Sequence, residues 1–320
     1  AGRDCPEIRE SIPDAAYPRL LPLLEQGLED GAVGIGSGTQ YAPGITHKEM
    51  LDVTRLAGEK QTCVFTHVRY GSLVEPDSTL ESVQESIANA AITNACVHVV
   101  HINSMGMSDS PFLVGLMNDA RKRGIDISTE TYPWDGSSDQ IRSVIFDDGW
   151  EKRWGVQPED LQSRSTGKRL NRAEFDALRK NTEDDAVIMH MNTDETIIKL
   201  LRDPLVLVAS DAGELLSDNS HPRAAGTFAR VLGYYSRDHK ALSLPEAIRK
   251  MTLMPAQRLE AFVPEMKKKG RLQVGADADI VLFDPTTVNA GADYGSARRY
   301  SIGFQYVMVN GVLAVSYTHL

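Results

Sequence analysis

A chain of 320 residues that is 42% hydrophobic and 24% charged has ordinary globular composition and enough length for one large barrel or two domains. Its formal charge of −10 argues against nucleic acid or an anionic membrane as partner. No apolar stretch approaches a membrane span, and the N-terminus shows no basic-then-apolar signal pattern. The three cysteines, Cys5, Cys63 and Cys96, have no C-x-x-C spacing, so neither a disulfide framework nor a zinc ribbon is expected, and a reducing, cytoplasmic setting is.

In chain order, short β-branched runs alternate with amphipathic helical ones, the pattern of a parallel sheet covered by helices. A helix over residues 17–29 leads into the glycine-rich run 31–38. A second starts at a capping box, Thr46 with Glu49, and runs to about Lys60 before the strand that ends at His67. A third has a capping box of Ser78 and Glu81 and reaches about Ala91 before the strand that ends at His101. A fourth takes Ser110 as N-cap with Pro111 at its first position and precedes the run 125–132.

The rhythm breaks over residues 133–181, a polar segment with Trp134, Trp150, Trp154 and a helix expected at 172–179. A strand at 187–191, a short helix at 193–201 and a strand at 205–209 follow, the last leading to Asp211. Ser243 and Glu246 open a helix to about Leu259, and the end of the chain reads as β-strands with an Asn310-Gly311 hairpin.

Spacing sharpens the fold class. A (β/α)₈ barrel uses roughly 31 residues per unit and carries its chemistry at the C-terminal strand ends. The run 31–38, His67, His101 and the run 129–132 follow at close to that interval. Residues 32–37, 64–67, 97–101, 126–131 and 206–210 are therefore expected as parallel strands of one curved sheet. The chain divides on this reading into a partial TIM-like barrel, residues 1–262, and part of a small β-sandwich domain, residues 263–320.

Two imidazoles and a carboxylate at strand ends are the raw material of a metal hydrolase. A lone strand histidine is usually a hydrogen-bonded core or surface residue; His67 and His101 at a one-unit interval, with Asp211 at a third strand end, point to a site. His98 has the opposite parity to His101, so only one of them is expected to face the barrel axis. His190 is ambiguous. Cys63 reads as a small buried thiol, and His47, His239 and His319 as surface residues. Arg69 shares the face of His67 and either meets a substrate carboxylate or anchors a loop. The run 31–38 lacks both G-x-G-x-x-G and a P-loop lysine, so small residues packed in a strand explain it better than a nucleotide loop.

The motifs Gly31-Ala32-Val33-Gly34-Ile35-Gly36-Ser37-Gly38, Tyr41-Ala42-Pro43-Gly44, Thr66-His67-Val68-Arg69, Val100-His101-Ile102-Asn103, Glu130-Thr131-Tyr132-Pro133, Ser210-Asp211, His221-Pro222-Arg223 with Gly226-Thr227-Phe228, the segment 241–259, and Gly275-Ala276-Asp277-Ala278-Asp279 stand in one order. In these the chain resembles the N-acyl-D-amino-acid deacylase (D-aminoacylase) branch of the metal-dependent amidohydrolases. The resemblance implies that His67 and His101 bind Zn²⁺, one or two ions, with Asp211 as a further ligand that also acts as general base and then general acid. It implies that Arg223 pairs with the substrate carboxylate and that Tyr132 and Ser138 hold the substrate. Asn103 stands where D-aminoacylases have a lysine, which bears on substrate range.

The expected activity is zinc-dependent cleavage of small N-acyl-D-amino acids to a carboxylate and a D-amino acid, in a bacterial cytoplasm, with no nucleic-acid or membrane partner; the oligomeric state is left open. The family's His-x-His strand and following cysteine are missing, so the chain is expected to be incomplete and inactive alone, and the tail from Val315 does not resemble the family's ending. Two alternatives are weaker. Dihydroorotases and hydantoinases resemble residues 221–228 less and carry a bridging lysine absent from residues 31–38, and a metal-free scaffold has no reason to keep His67, His101 and Asp211 together.

Overall fold

The structure, a computed structural model, describes residues 6–181 and 185–316. Cys5, His319 and the tail beyond Ser316 lie outside the described residues. The chain divides into two compact units. One joins residues up to Glu130 with Asp135–Thr196, and the other joins Thr131–Trp134 with the residues from Ile197 onward.

In the first unit α1 (Leu20–Glu29), β1 (Ile35–Gly38), α2 (His47–Glu59), β2 (Cys63–His67), α3 (Thr79–Thr93), β3 (Cys96–Val99), α4 (Ile102–Gly106), α5 (Ser110–Lys122) and β4 (Ile127–Thr131) follow in turn. The four strands pair in sequence order. All pairings are parallel, with Ile35 beside Val64, Cys63 beside Cys96 and Val97 beside Ile127. α2 begins where Thr46 and Glu49 close a reciprocal capping box, which satisfies two of the orphan amides of a first turn. Ser78 caps α3 through the Glu81 amide, while the Glu81 carboxylate accepts from Asp77 instead of closing the box. α5 departs from expectation: Ser110 is its first residue, and its hydroxyl donates to Ile102 O, because α4 and a 3₁₀ turn already occupy residues 102–109. Apolar side chains of α2 (Met50, Val53, Leu56) pack on Ile35 and Val64, with the leucines of α1 beside them. That burial holds the helices to one face of the sheet. Gly34 is required by a close approach, since a Cβ there would lie 2.7 Å from the Cys63 carbonyl oxygen.

One expectation is overturned here. Cys63 and Cys96 form a disulfide across β2 and β3, with Cα atoms 4.5 Å apart. A local C-x-x-C search misses it because the pairing follows the strand repeat: 33 residues separate the sulfurs, and in-register parallel strands set them side by side. Cys63 is thus no free buried thiol, and the cysteines give no support to a reducing compartment.

Residues 133–181 contain strands that periodicity did not reveal. β5 (Gly136–Gln140) and β6 (Leu161–Ser163) flank β7 (Ala186–His190) antiparallel in a separate three-stranded sheet. β5 reads Gly-Ser-Ser-Asp-Gln, with none of the β-branched or aromatic residues that mark a strand. Between these strands lie α6 (Trp150–Trp154) and α7 (Arg172–Lys180), the latter opening on an Asn171–Glu174 capping box.

The second unit contains α8 (Asp194–Arg202), β8 (Val206–Val208), α9 (Arg223–Arg230), a π-helical stretch Val231–Asp238, α10 (Leu244–Met251), α11 (Leu253–Leu259), and the antiparallel sheet of β9 (Ile280–Phe283), β10 (Phe304–Val309) and β11 (Val312–Ser316). Its core joins Ile197 and Leu201 to Val208, Leu232, Tyr235, Leu242 and Val288. The amide of Ala209, just past β8, donates to the carbonyl of Thr131. The single helix expected up to Leu259 breaks at Thr252. Pro255 has no amide to donate to Met251, and its ring crowds that carbonyl. The Asn310-Gly311 hairpin is as expected, with both residues at positive φ.

Lys250 is fully buried in α10 and donates to the carbonyls of Asp203 and Val206. Burial lowers its pKa to about 8 from 10.5. The folded state holds this proton less tightly than the unfolded chain does, so folding carries a penalty that is full below pH 8 and fades between pH 8 and 10.5. Over that window the wild type is expected to gain up to about 3 kcal/mol relative to Lys250→Met. Urea denaturation of both proteins at pH 7.5 and 10 checks it, and a pH-independent difference between them rejects it.

No helix among the described residues is long and apolar enough to cross a membrane.

Candidate active site

The first unit brings the two histidines together. His67 closes β2, and its Nδ1 lies 3.0 Å from His101 Nε2. Two nitrogens each 2.0–2.1 Å from one tetrahedral Zn²⁺ stand about 3.3 Å apart, so the pair already has nearly the separation of joint ligands. His101 reaches this position through a backbone that is rare for its type, φ 33° and ψ 57°. A non-glycine residue in the left-handed region costs energy and occurs often at functional sites.

This turn also corrects the parity argument. The strand stops at Val99, so alternation no longer governs residue 101. His98 pairs in register with Phe65, and its ring lies 5.6 Å from Phe65, on the face that His67 shares. Both His98 and His101 thus stand on the His67 side. His98 bonds Ser128 Oγ at 2.7 Å and Glu130 at 3.0 Å. Burial pushes the Glu130 carboxyl up, but the His98 hydrogen bond and charge, together with His101, outweigh it and hold the group below the ordinary range.

The exit of β1 folds against His67. Thr39 Oγ1 donates to the His67 carbonyl at 3.0 Å, Gln40 Oε1 lies 2.8 Å from His67 Nε2, and the Tyr41 ring sits 4.6 Å from the imidazole. Among the described residues no group of three or more His, Cys, Asp or Glu side chains forms a metal cage. The imidazoles supply a pair, and the expected third ligand, Asp211, belongs to the second unit.

There Asp211, at φ 48°, accepts from Arg223 Nη1 at 2.8 Å. The Arg223 side chain is 9% exposed, lies 5.1 Å from the centre of the fully buried Tyr132 ring, and has an Nε without a hydrogen-bond partner among the described residues. Arg223 opens α9, and its amide donates to His221 Nδ1. The His221 ring is surrounded edge-on by Tyr132, Trp134 and Tyr294. Gly226 keeps α9 close to this group, since a Cβ there would lie 3.1 Å from Trp134.

Residues 45–315 match the amidohydrolase family. This chain belongs to it. The chain is 30% identical to N-acyl-D-glutamate deacylase and 26% identical to D-aminoacylase, both from Alcaligenes xylosoxydans xylosoxydans, over 93% and 96% of its own length and 61% and 63% of theirs. It therefore spans about three fifths of these relatives. Among solved structures it resembles N-acyl-D-glutamate deacylase from Bordetella bronchiseptica, a complex with zinc and a phosphonate inhibitor that mimics the tetrahedral intermediate. The TM-score is 0.80 at 25% identity, covering 97% of this chain and 65% of that one. These likenesses place this amidohydrolase in the D-aminoacylase branch.

The remaining expected site residues of the amidohydrolase chain are dispersed. Arg69 gives Nε and Nη2 to Glu85 at 3.0 and 2.9 Å and Nη1 to the Ile45 carbonyl. These are the bonds of a loop anchor, one of the two roles considered for it. Burial pushes Glu85 up, yet Arg69, and then His47, hold it below its ordinary value. Asn103 is fully buried in α4, where its carbonyl accepts from Asn192 Nδ2. Ser138 lies in β5 opposite Ile188. His190 joins Asp135 and Gln162 across the small sheet. Gln40, Glu130 and His221 escaped the sequence reading as individual contributors. A carboxylate inside the run 125–132 was the one signal that could have singled out Glu130.

Proposed function

We propose that this amidohydrolase cleaves the amide bond of N-acyl-D-amino acids to a carboxylate and a free D-amino acid, with one or two zinc ions held by His67, His101 and, from the second unit, Asp211. The observation that carries this reading is the convergence of His67 Nδ1 and His101 Nε2. It is supported by the named activities of the relatives in the same branch. The division into a barrel over 1–262 and a small β-sandwich over 263–320 belongs to the same proposal.

Zinc, when bound, supplies Lewis acidity toward the amide carbonyl and brings the pKa of water toward neutrality. The protein's part is positional and protonic. Asp211 Oδ2 is engaged by Arg223, so Oδ1 is the oxygen left to take a proton from the attacking water and return it to the leaving amine. The free Nε edge of Arg223 receives the substrate carboxylate, for which a planar guanidinium is suited. The branch resemblance alone supports Tyr132, Ser138 and Asn103 as substrate-side residues, and the bonds of Arg69 to Glu85 and Ile45 favour the loop anchor over a substrate contact.

A version joined upstream to the family's His-x-His strand is expected to hydrolyse N-acetyl-D-glutamate but not the L-enantiomer, an activity lost on chelation and restored by zinc, whereas residues 1–320 alone are expected to show no appreciable turnover. His67→Asn and His101→Asn should each lower bound zinc. A zinc-loaded protein inert toward every N-acyl-D-amino acid tried would reject the substrate assignment.

A further inference from the structure

We propose that Gln40 is a positioning residue for the metal site: its side-chain carbonyl holds His67 as the Nε2–H tautomer and turns the Nδ1 lone pair toward His101. The inference rests on the metal-site reading above. A neutral imidazole has one N–H and one lone pair, and the bond made by one nitrogen decides which remains on the other. Gln40 Oε1 is an acceptor only. At 2.8 Å from His67 Nε2 it requires that nitrogen to donate, which leaves Nδ1 as the acceptor 3.0 Å from His101 Nε2.

In the metal-free chain this orders protons along one line, with His101 Nε2–H donating to His67 Nδ1 and His67 Nε2–H donating to Gln40. His101 Nδ1 is then a lone pair, and it is the atom that is buried without a partner among the described residues. A cation between the rings takes the lone pair that Gln40 has already aimed, and His101 Nε2 becomes the second donor as its proton moves to His101 Nδ1 by a change of tautomer. If the amide presented its NH₂ group instead, His67 would carry its proton on Nδ1, facing His101, and could not ligate there. The turn Thr39–Tyr41 fixes Gln40 from both sides, through Thr39 on the His67 carbonyl and Tyr41 against its ring.

Partners behind a metal-bound histidine typically alter metal affinity 10–100-fold. Gln40→Leu should weaken zinc binding by about that factor, measured by competition with a chromophoric chelator. Gln40→Lys, which places a donor on Nε2, should weaken it further, and Gln40→Glu, which still accepts, should restore it. Imidazole ¹⁵N shifts of the metal-free protein should report Nε2–H at His67 in the wild type and Gln40→Glu, and Nδ1–H in Gln40→Lys. If His67→Asn leaves zinc affinity unchanged, the metal-site reading fails. If His67→Asn abolishes binding while Gln40→Leu and Gln40→Lys match the wild type, or if wild-type His67 is Nδ1–H, the role of Gln40 fails alone.

Discussion

In the version joined to the His-x-His strand, Asp211→Asn is expected to lower turnover by about 10²–10⁴-fold, the usual contribution of a positioned general acid–base, while zinc stays bound. The substitution isolates the proton step for two structural reasons. Asparagine offers Arg223 Nη1 an oxygen acceptor in place of the carboxylate Oδ2. It also tolerates the positive φ of residue 211 as readily as aspartate does, so the backbone carries no added strain. Asp211→Ala lacks both properties and would confuse folding with chemistry. Turnover of N-acetyl-D-glutamate and zinc content by elemental analysis, measured on one preparation, decide the matter. An Asp211→Asn protein with wild-type turnover would remove Asp211 from the proposed proton step.

The second large effect is on stability. Cys63 and Cys96 close a loop of sequence separation 33. The chain-entropy account of cross-linking puts such a loop at about 3.5–4 kcal/mol at 25 °C. The bond also ties β2 to β3, the strands that lead to His67 and His101, so its loss acts on the site's scaffold as well as on the unfolded chain. Cys63→Ala/Cys96→Ala should unfold at correspondingly lower urea concentration than the oxidised wild type, and reductant should shift the wild type by a similar amount. Alanine is the apt replacement because Cys63 is wholly buried and a serine hydroxyl there would need a partner. The intact mass of the oxidised chain should lie two hydrogens below that of the reduced chain. Identical denaturation midpoints with and without reductant would rule out the stabilisation.

The contrast between what was legible and what was not runs along a physical line. Periodicity and capping are local, and α2 and α3 begin at the side chains that the sequence indicates: Thr46 and Ser78 each accept an amide from three residues on. The unit interval set β2 and β3 in parallel register and brought His67 to His101. Alternation failed where the chain left the strand at Val99, because a single left-handed residue at 101 redirects a side chain and no periodic signal encodes it. The strand β5 escaped because its pairing with β7 comes from partners rather than from its own polar residues.

The sequence by itself determined the family, through motifs that stand in the family's order, and the order of the helices and parallel strands and the histidines and carboxylate worth testing, which follow from spacing and residue chemistry. Only the tertiary structure decided that Arg69 is consumed by Glu85, that Cys63 meets Cys96, that Arg223 rests on Asp211, and that Gln40 stands behind His67. Each of these joins residues 12 to 33 positions apart in sequence. Such a pair is chosen by strand register and turn geometry, and a single residue carries no mark of the partner that the fold will set beside it.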